Sequence, residues 1–266
     1  MCSYLLFTKS PTKRPQVQGR KGHRKRKLQI LGAFEMNIST PEHAPLVLQS
    51  KDVSPTATVI WLHGLGDSPN GWAQTCHMLF KALNFKVKFV IPHAFIQPVA
   101  CNGGMAMPSW MDLDEIPIKV SSPDRGHQQQ QSIDYILSLA AKEVEAGVPA
   151  NRIVFGGFSQ GGALSLAAAV KSGLKIGGCI CLSGWALPAQ NIGSSIKSAA
   201  SKDSPFLICH GEVDNIVLTE NAPHAATLLR EGGAADVSLK TYPGMAHSSC
   251  QQEERDILAF LQRVLE

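Results

Sequence analysis

The sequence predicts an α/β domain in which a mainly parallel central sheet carries helices on both faces. From about residue 44 onward, short β-branched segments alternate with longer segments of helical periodicity. Several short segments, such as Ile153–Phe155 and Phe206–Ile208, are entirely apolar, which is typical of strands buried on both faces. Strands that alternate with helices favour parallel pairing, because each crossover helix returns the chain to the same end of the sheet.

Seven segments have strand patterns and five have helix patterns. The strand candidates are Pro45–Gln49, Thr58–Leu62, Lys86–Ile91, Arg152–Phe158, Gly178–Ser183, Pro205–Cys209 and Val237–Tyr242. The helix candidates are Trp72–Leu83, Gln128–Ala146, Gly161–Ser172, Glu220–Arg230 and Cys250–Leu265. The stretch between Pro92 and Gln128 has few helix signals and is long for a connection within a compact domain, which indicates a functional segment.

Composition excludes several classes of protein. The 266 residues are 44% hydrophobic and 17% charged, as in ordinary globular proteins. No apolar run approaches the ~20 residues of a membrane-spanning helix, and Tyr4–Phe7 is too short for a secretory signal. The seven cysteines are odd in number and have no paired spacing, and no histidine lies at ligand spacing from Cys179 and Cys181. We therefore expect a cytoplasmic protein without disulfides, metal or cofactor.

The first 35 residues differ from the rest of the chain in charge. They contain nine Lys or Arg and one acidic residue, whereas residues 36–266 have four more acidic than basic residues. We interpret residues 1–35 as a basic disordered extension and residues 36–266 as the folded domain. Peripheral membrane contact through this extension and an acylated Cys2, organelle targeting, and a second translation start at Met36 all stay open. No nucleic-acid partner is expected.

Ser159 is the predicted nucleophile. Gly157–Gly161 matches Gly-x-Ser-x-Gly, directly after a strand pattern and directly before an Ala- and Leu-rich helix pattern. This strand–turn–helix setting is that of a nucleophile elbow in an α/β-hydrolase domain. The two glycines leave room where strand and helix converge, and the helix N-terminus favours developing negative charge.

The predicted partners of Ser159 follow in the order acid, then base. Asp214 lies in the loop after the strand ending at Cys209, and His247 lies in the loop after Tyr242. Both loops belong to the sheet edge from which Ser159 emerges, so His247 is the expected base and Asp214 the residue that orients it. Glu212 remains an alternative to Asp214, and His210 is expected to hold the loop.

The oxyanion of an acyl-transfer intermediate needs preorganised N–H donors. One is expected from Gln160, the residue after the nucleophile, and the other from Leu65, in a glycine-rich loop after an early strand. His63, at the start of that loop, is expected to form hydrogen bonds within the loop.

Four stretches of the chain together resemble the acyl-protein thioesterases, a branch of the phospholipase/carboxylesterase family of α/β hydrolases. They occur in the order His63–Ser68, Ala106–Trp110, Gly156–Gly162 and His247–Glu253. The resemblance implies hydrolysis of long-chain thioesters on S-acylated proteins, with lysophospholipid and simple ester hydrolysis as side activities. It assigns the catalytic roles to Ser159, Asp214 and His247 and the oxyanion donors to Leu65 and Gln160.

The resemblance also places an acyl channel beside the loop that spans Gln97–Met107. Met105, Met107, Trp110 and Trp185 are the expected lining residues, with core packing as the alternative for each. Two other functions stay open at this point: a carboxylesterase for small esters, and a binding protein of hydrolase fold without activity.

Overall fold

The fold is seen in a computed structural model, which describes residues 39–84, 86–124, 126–197 and 200–265. The predicted basic extension at residues 1–35 lies outside these ranges. A seven-stranded sheet runs through the centre of the domain in the order β1-β3-β2-β6-β7-β8-β9, and β4 and β5 form a separate antiparallel hairpin. In the main sheet only β1 is antiparallel to its neighbour, so the sheet is mainly parallel.

The strands of the main sheet are short and mostly buried. They are β1 Leu46–Leu48, β2 Ala57–Leu62, β3 Val87–Ile91, β6 Ile153–Phe158, β7 Gly178–Leu182, β8 Phe206–Gly211 and β9 Val237–Tyr242. The hairpin consists of β4 Phe95–Val99 and β5 Met105–Ser109. Every strand predicted from sequence is present to within two residues at each end.

The described part of the chain has six α-helices. They are α1 Pro69–Ala82, α2 Gly126–Glu145, α3 Gln160–Lys171, α4 Ile192–Lys197, α5 Asn221–Glu231 and α6 Gln251–Leu265. Five of them correspond to the helix predictions. The short helix α4 and the β4–β5 hairpin were not predicted, because neither has a clear hydrophobic period of its own.

Helices cover both faces of the sheet, as the apolar strands predicted. Alternate residues of each strand point to opposite faces: Ile60 and Leu62 pack in one core with α2–α5, whereas Val59 and Trp61 pack in the other core with α1 and α6. The α/β fold class predicted from sequence is therefore confirmed.

Among the described residues, no helix combines the length and the apolar character needed to cross a membrane.

The carboxyl edge of the sheet collects four loops. They follow β2, β6, β8 and β9, and they carry Leu65, Ser159, Asp214 and His247 in that order. Because β2, β6, β8 and β9 all run in the same direction in the sheet, residues far apart in sequence meet at this edge.

Candidate active site

Ser159 occupies a tight turn between β6 and α3. Its φ of 56° and ψ of −120° lie in a region that non-glycine residues seldom adopt, and its amide donates to Leu182 O at 2.8 Å. A Cβ atom on Gly161 would lie 2.2 Å from Leu62 O, and one on Gly157 would lie 2.6 Å from backbone atoms of Gly161. The turn therefore requires glycine two residues before and two residues after the serine.

Ser159, His247 and Asp214 form one continuous hydrogen-bonded chain. His247 Nε2 is 2.9 Å from Ser159 Oγ, and His247 Nδ1 is 2.8 Å from Asp214 Oδ2. Since the carboxylate only accepts hydrogen bonds, Nδ1 carries the proton and Nε2 presents its lone pair to the serine hydroxyl. This tautomer is the one that removes a proton from a nucleophile.

The carboxylate of Asp214 is almost completely buried and well supported. Its Oδ1 accepts the amides of Ile216 and Val217, each at 2.9 Å, while Oδ2 faces His247 and lies 3.3 Å from His210 Nε2. Burial acts to raise the pKa of Asp214, but the hydrogen bonds from His210, His247 and Ile216 outweigh it and hold that pKa well below its usual value. Asp214 is therefore a fixed negative charge behind the imidazole.

The positions of Glu212 and His210 in the structure distinguish these two residues from Asp214. Glu212 is exposed, and its carboxylate accepts a hydrogen bond from Thr241 Oγ1 at 2.8 Å. His210 is buried at the end of β8, where its Nε2 lies 2.9 Å from Val217 O. His210 thus holds the loop, whereas Asp214 is the carboxylate that contacts His247.

The two expected oxyanion donors lie next to Ser159. Gln160 is the first residue of α3, so its amide has no acceptor within the helix. Leu65 belongs to the glycine-rich loop after β2, which approaches so closely that a Cβ on Gly64 would lie 3.5 Å from Ser159 Cβ. Leu65 and Ser159 border the same cavity. The N-terminus of α3 and the loop after β2 thus bring two backbone segments close to Ser159, as an oxyanion site requires.

His63 fixes the conformation of that loop. Its Nε2 accepts the amide of Ala94 at 3.2 Å, so Nδ1 carries the proton and donates to Gly64 O at 2.8 Å. Burial lowers the pKa of His63, which keeps the ring neutral. Trp110 Nε1 donates to His63 O at 2.8 Å and ties the segment after β5 to the same loop.

A mostly apolar cavity of about 220 Å³ opens beside Ser159 and His247. Residues 111–118, named the strap below, form one wall, and the loop at 212–218, named the acid loop below, forms another. The apolar lining residues include Leu113, Ile116, Ile118, Trp185, Ile216 and Val217.

The four lining residues predicted from sequence have different positions in the structure. Trp185 lines the cavity, but Trp110 is fully buried, and its indole is a core side chain rather than a wall of the cavity. Met107 is partly buried beside Gly66, and Met105 is 65% exposed on the hairpin. Neither methionine borders the cavity, because the β4–β5 hairpin carries both on a separate small sheet.

Sequence reasoning missed the part of the site that the strap supplies. A parallel bridge joins Ile118 to Val217, with Ile118 N–H donating to Ile216 O at 2.8 Å and Leu218 N–H donating to Ile118 O at 2.9 Å. The strap lies in the helix-poor stretch that was predicted to be functional. The spaced apolar residues of the strap could have indicated that it lines a cavity. They could not have indicated that the strap pairs with the acid loop.

The side chain of Gln160 has a second role that its motif did not reveal. Its Oε1 accepts the amide of Trp110 at 3.1 Å, and its Nε2 donates to Met111 O at 2.9 Å. The residue that follows the nucleophile therefore also anchors the start of the strap.

Within the ranges that the structure describes, no group of three or more His, Cys, Asp or Glu residues is arranged to hold a metal ion. The arrangement suits acyl transfer through a serine, since a hydroxyl, an imidazole and a buried carboxylate form a hydrogen-bonded chain beside an apolar cavity.

Comparison with known proteins points to one family. Residues 43–265 match the Phospholipase/Carboxylesterase family model. The chain is 39% identical over 233 residues to acyl-protein thioesterase 1 of Gibberella zeae, an alignment that covers 86% of this chain and 98% of that protein.

Solved structures agree in fold. The crystal structure of Arabidopsis thaliana SOBER1 has a TM-score of 0.73 at 33% identity and covers 79% of this chain and 99% of its own. The crystal structure of Zea mays acyl-protein thioesterase 2 has a TM-score of 0.72 at 25% identity. The match covers 84% of this chain and 100% of that chain. The resemblance stated from the sequence motifs is thereby confirmed: the chain belongs to the phospholipase/carboxylesterase family of α/β hydrolases.

Proposed function

We propose that the protein is an acyl-protein thioesterase, which hydrolyses long-chain fatty-acyl thioesters on S-acylated cysteines. The proposal is carried by one observation, the hydrogen-bonded chain from Asp214 through His247 to Ser159 at the edge of an apolar cavity. The names of the relatives from Gibberella zeae and Zea mays agree with it.

Acylation is the first half of the reaction. Ser159 Oγ attacks the thioester carbonyl while its proton passes to His247 Nε2, and the amides of Leu65 and Gln160 stabilise the oxyanion. The tetrahedral intermediate then breaks the carbon–sulfur bond, and His247 returns the proton to the departing thiolate. The products of this half are an acyl-Ser159 ester and the free cysteine thiol.

Deacylation repeats the same steps with water. His247 takes a proton from water, the hydroxide adds to the acyl-Ser159 carbonyl, and the ester bond to Ser159 breaks as His247 protonates the serine oxygen. The fatty acid leaves, and the cavity is free for another acyl chain. One water molecule is consumed for each thioester that is hydrolysed.

Release of palmitate from an S-palmitoylated peptide is the direct test. We expect the wild-type protein to release palmitate and free thiol in equal amounts, and Ser159→Ala to release both about a millionfold more slowly. A wild-type protein that binds the peptide but leaves the thioester intact would contradict the proposal.

Two other functions are separated by simple measurements. A small-ester carboxylesterase would hydrolyse acetyl thioesters faster than palmitoyl thioesters, whereas the apolar cavity favours the long chain. A non-enzymatic binding protein would not react with a fluorophosphonate probe. The hydrogen bond between His247 Nε2 and Ser159 Oγ argues against the second alternative, because binding alone needs no base beside the hydroxyl.

The cavity wall gives a prediction about chain length. Ile116 lines the cavity and is 41% exposed, so tryptophan can replace it without entering the core. Excluding two methylenes from the cavity forfeits about 1.6 kcal/mol, so we expect Ile116→Trp to lower kcat/KM for a palmitoyl thioester roughly 15-fold.

The acetyl thioester serves as the matched substrate for this variant. Its kcat/KM should change less than about threefold, because an acetyl group does not extend along the strap. An equal loss with both substrates would show that Ile116 does not border the acyl site. Val47→Trp, at an exposed position on β1, controls for the effect of an added surface tryptophan.

The family also suggests lysophospholipids and simple esters as secondary substrates, since they present an acyl carbonyl to the same groups. We further propose that the protein acts in the cytoplasm and contacts membranes peripherally, where S-acylated proteins are anchored. Residues 1–35 and Cys2, which carry the membrane part of this proposal, lie outside the described residues. Vesicle sedimentation of the full chain and of a chain starting at Met36 tests their contribution.

A further inference from the structure

The end of the strap is held by a buried side chain that the reaction steps above do not use. Asn221, the first residue of α5, is only 2% exposed. Its Nδ2 lies 3.0 Å from Ile118 O, in the strap, and 2.8 Å from Leu218 O, in the acid loop. A single buried amide group thus contacts two of the segments that form the walls of the cavity.

The orientation of this amide follows from its neighbours. Ile118 O and Leu218 O are carbonyl oxygens, which only accept hydrogen bonds, so the group that faces them is the NH₂ of Asn221. This group has two hydrogens, and each of them has an acceptor. Asn221 therefore supplies one hydrogen bond to the strap and one to the acid loop.

Ile118 is the strap residue on which these hydrogen bonds converge. Its carbonyl oxygen accepts from Asn221 Nδ2 and also from the amide of Leu218 at 2.9 Å, so both of its lone pairs are used. Its own amide donates to Ile216 O at 2.8 Å, and its side chain lines the cavity. The position of this part of the wall is therefore set by these hydrogen bonds, and Asn221 supplies the one that comes from a side chain.

We infer that Asn221 is a positioning residue for the acyl cavity: it holds the strap against the acid loop and so favours long acyl chains over short ones. The inference rests on the proposed function, in which the cavity takes the fatty chain. A palmitoyl chain runs along the strap, whereas an acetyl group ends beside Ser159. Only the long chain therefore depends on where Ile118 lies.

The same hydrogen bonds reach the catalytic carboxylate by a second route. Asp214 Oδ1 accepts the amides of Ile216 and Val217, the acid-loop residues that face Ile118 across the bridge. Loosening the end of the strap should therefore also disturb Asp214 slightly, with the same effect on every substrate. A change in the preference between substrates reports the cavity wall, whereas a change common to all substrates reports Asp214.

Asn221→Leu tests the inference, because leucine has nearly the shape of asparagine but no N–H donor. A methyl group approaches a carbonyl oxygen only to about 3.4 Å, so Ile118 O would have to move away from this side chain. We expect kcat/KM to fall about thirtyfold for a palmitoyl thioester and about threefold for an acetyl thioester. The palmitoyl-to-acetyl ratio then falls about tenfold, as the loss of wall contacts by about two methylenes would cause.

Two further variants complete the comparison. Asn221→Ala removes the donor without adding a bulky apolar group, so it should lower the ratio in the same direction but by less. Asn70→Leu makes the same change at an exposed position near the start of α1 and should keep the wild-type ratio. A purely structural role for Asn221 would lower kcat/KM equally for both substrates. The inference is overturned if folded Asn221→Leu has the same palmitoyl-to-acetyl ratio as wild type.

Hydrogen exchange tests the attachment of the strap without any substrate. The amides of Ile118 and Leu218 should exchange slowly in wild type and about tenfold faster in both Asn221 variants, because the bridge opens more often when its side-chain hydrogen bond is missing. Rapid exchange of both amides in wild type would overturn the inference even if neither variant folded. A wild-type protein that hydrolyses neither thioester would instead contradict the proposed function, and the exchange rates would still show whether Asn221 holds the strap.

Discussion

Replacing His247 by alanine is expected to lower kcat/KM for a palmitoyl thioester about a millionfold, the loss seen when a serine hydrolase loses its base. Without the imidazole, Ser159 Oγ keeps its proton, and a neutral hydroxyl is a poor nucleophile. The oxyanion donors and the cavity remain, so some acceleration over the uncatalysed reaction should persist. Steady-state hydrolysis and fluorophosphonate labelling should both show the loss.

His77→Ala provides the control for this variant. His77 is exposed on α1, and its removal should leave kcat/KM within about twofold of wild type. The melting temperature of His77→Ala should match that of wild type, whereas His247→Ala should melt at a lower temperature, because the buried carboxylate of Asp214 loses a hydrogen bond. Retention of a tenth or more of the activity in His247→Ala would show that another group acts as the base.

Replacing Asp214 by asparagine is expected to lower kcat about ten-thousandfold. Asparagine fits the same space, and its oxygen can still accept the amides of Ile216 and Val217. Its NH₂ group then faces His247 Nδ1 and forces the proton onto Nε2, so the imidazole no longer accepts the proton of Ser159. Substrate binding should be little affected, so KM should remain near its wild-type value.

The same variant should change how stability depends on pH. A carboxylate whose pKa is lowered in the folded state contributes stability above its unfolded pKa of about 3.9, and that contribution is lost as pH falls below this value. Asp214→Asn should therefore unfold at a lower urea concentration than wild type at pH 7, with a smaller difference at pH 3. Urea titration at the two pH values measures both quantities.

Glu212→Gln is the control for both effects. Glu212 lies two residues before Asp214 but is exposed and contacts Thr241. The variant should retain full activity and wild-type stability. Loss of activity in Glu212→Gln, with Asp214→Asn active, would assign the orienting role to the other carboxylate.

The sequence allowed prediction of those parts of the site that depend on local chain geometry. The turn at Ser159 requires glycines at fixed distances between a strand and a helix, so its residues are adjacent in sequence. Asp214 and His247 could be inferred because parallel strands bring their following loops to one edge. The order of these elements is enough to place them, without knowledge of any side-chain packing.

The remaining parts of the site depend on contacts between distant segments. Trp110 is fully buried in the core and its indole donates to His63 O, a contact that no local pattern indicates. The β4–β5 hairpin, which carries Met105 away from the cavity, likewise could not be predicted from hydrophobic periodicity. Asn221 belongs to a helix that the sequence predicted, but only the structure reveals that its side chain reaches the strap.

The bridge between Ile118 and Val217 has a consequence for engineering this enzyme. The strap, which forms one wall of the cavity, and the acid loop, which carries Asp214, are joined by backbone hydrogen bonds. We expect a substitution at Ile118 that changes the cavity to disturb this backbone bridge as well, and thereby to shift the loop that carries Asp214. Altered chain-length preference at this position should come with altered turnover, so selectivity and speed cannot be tuned there independently.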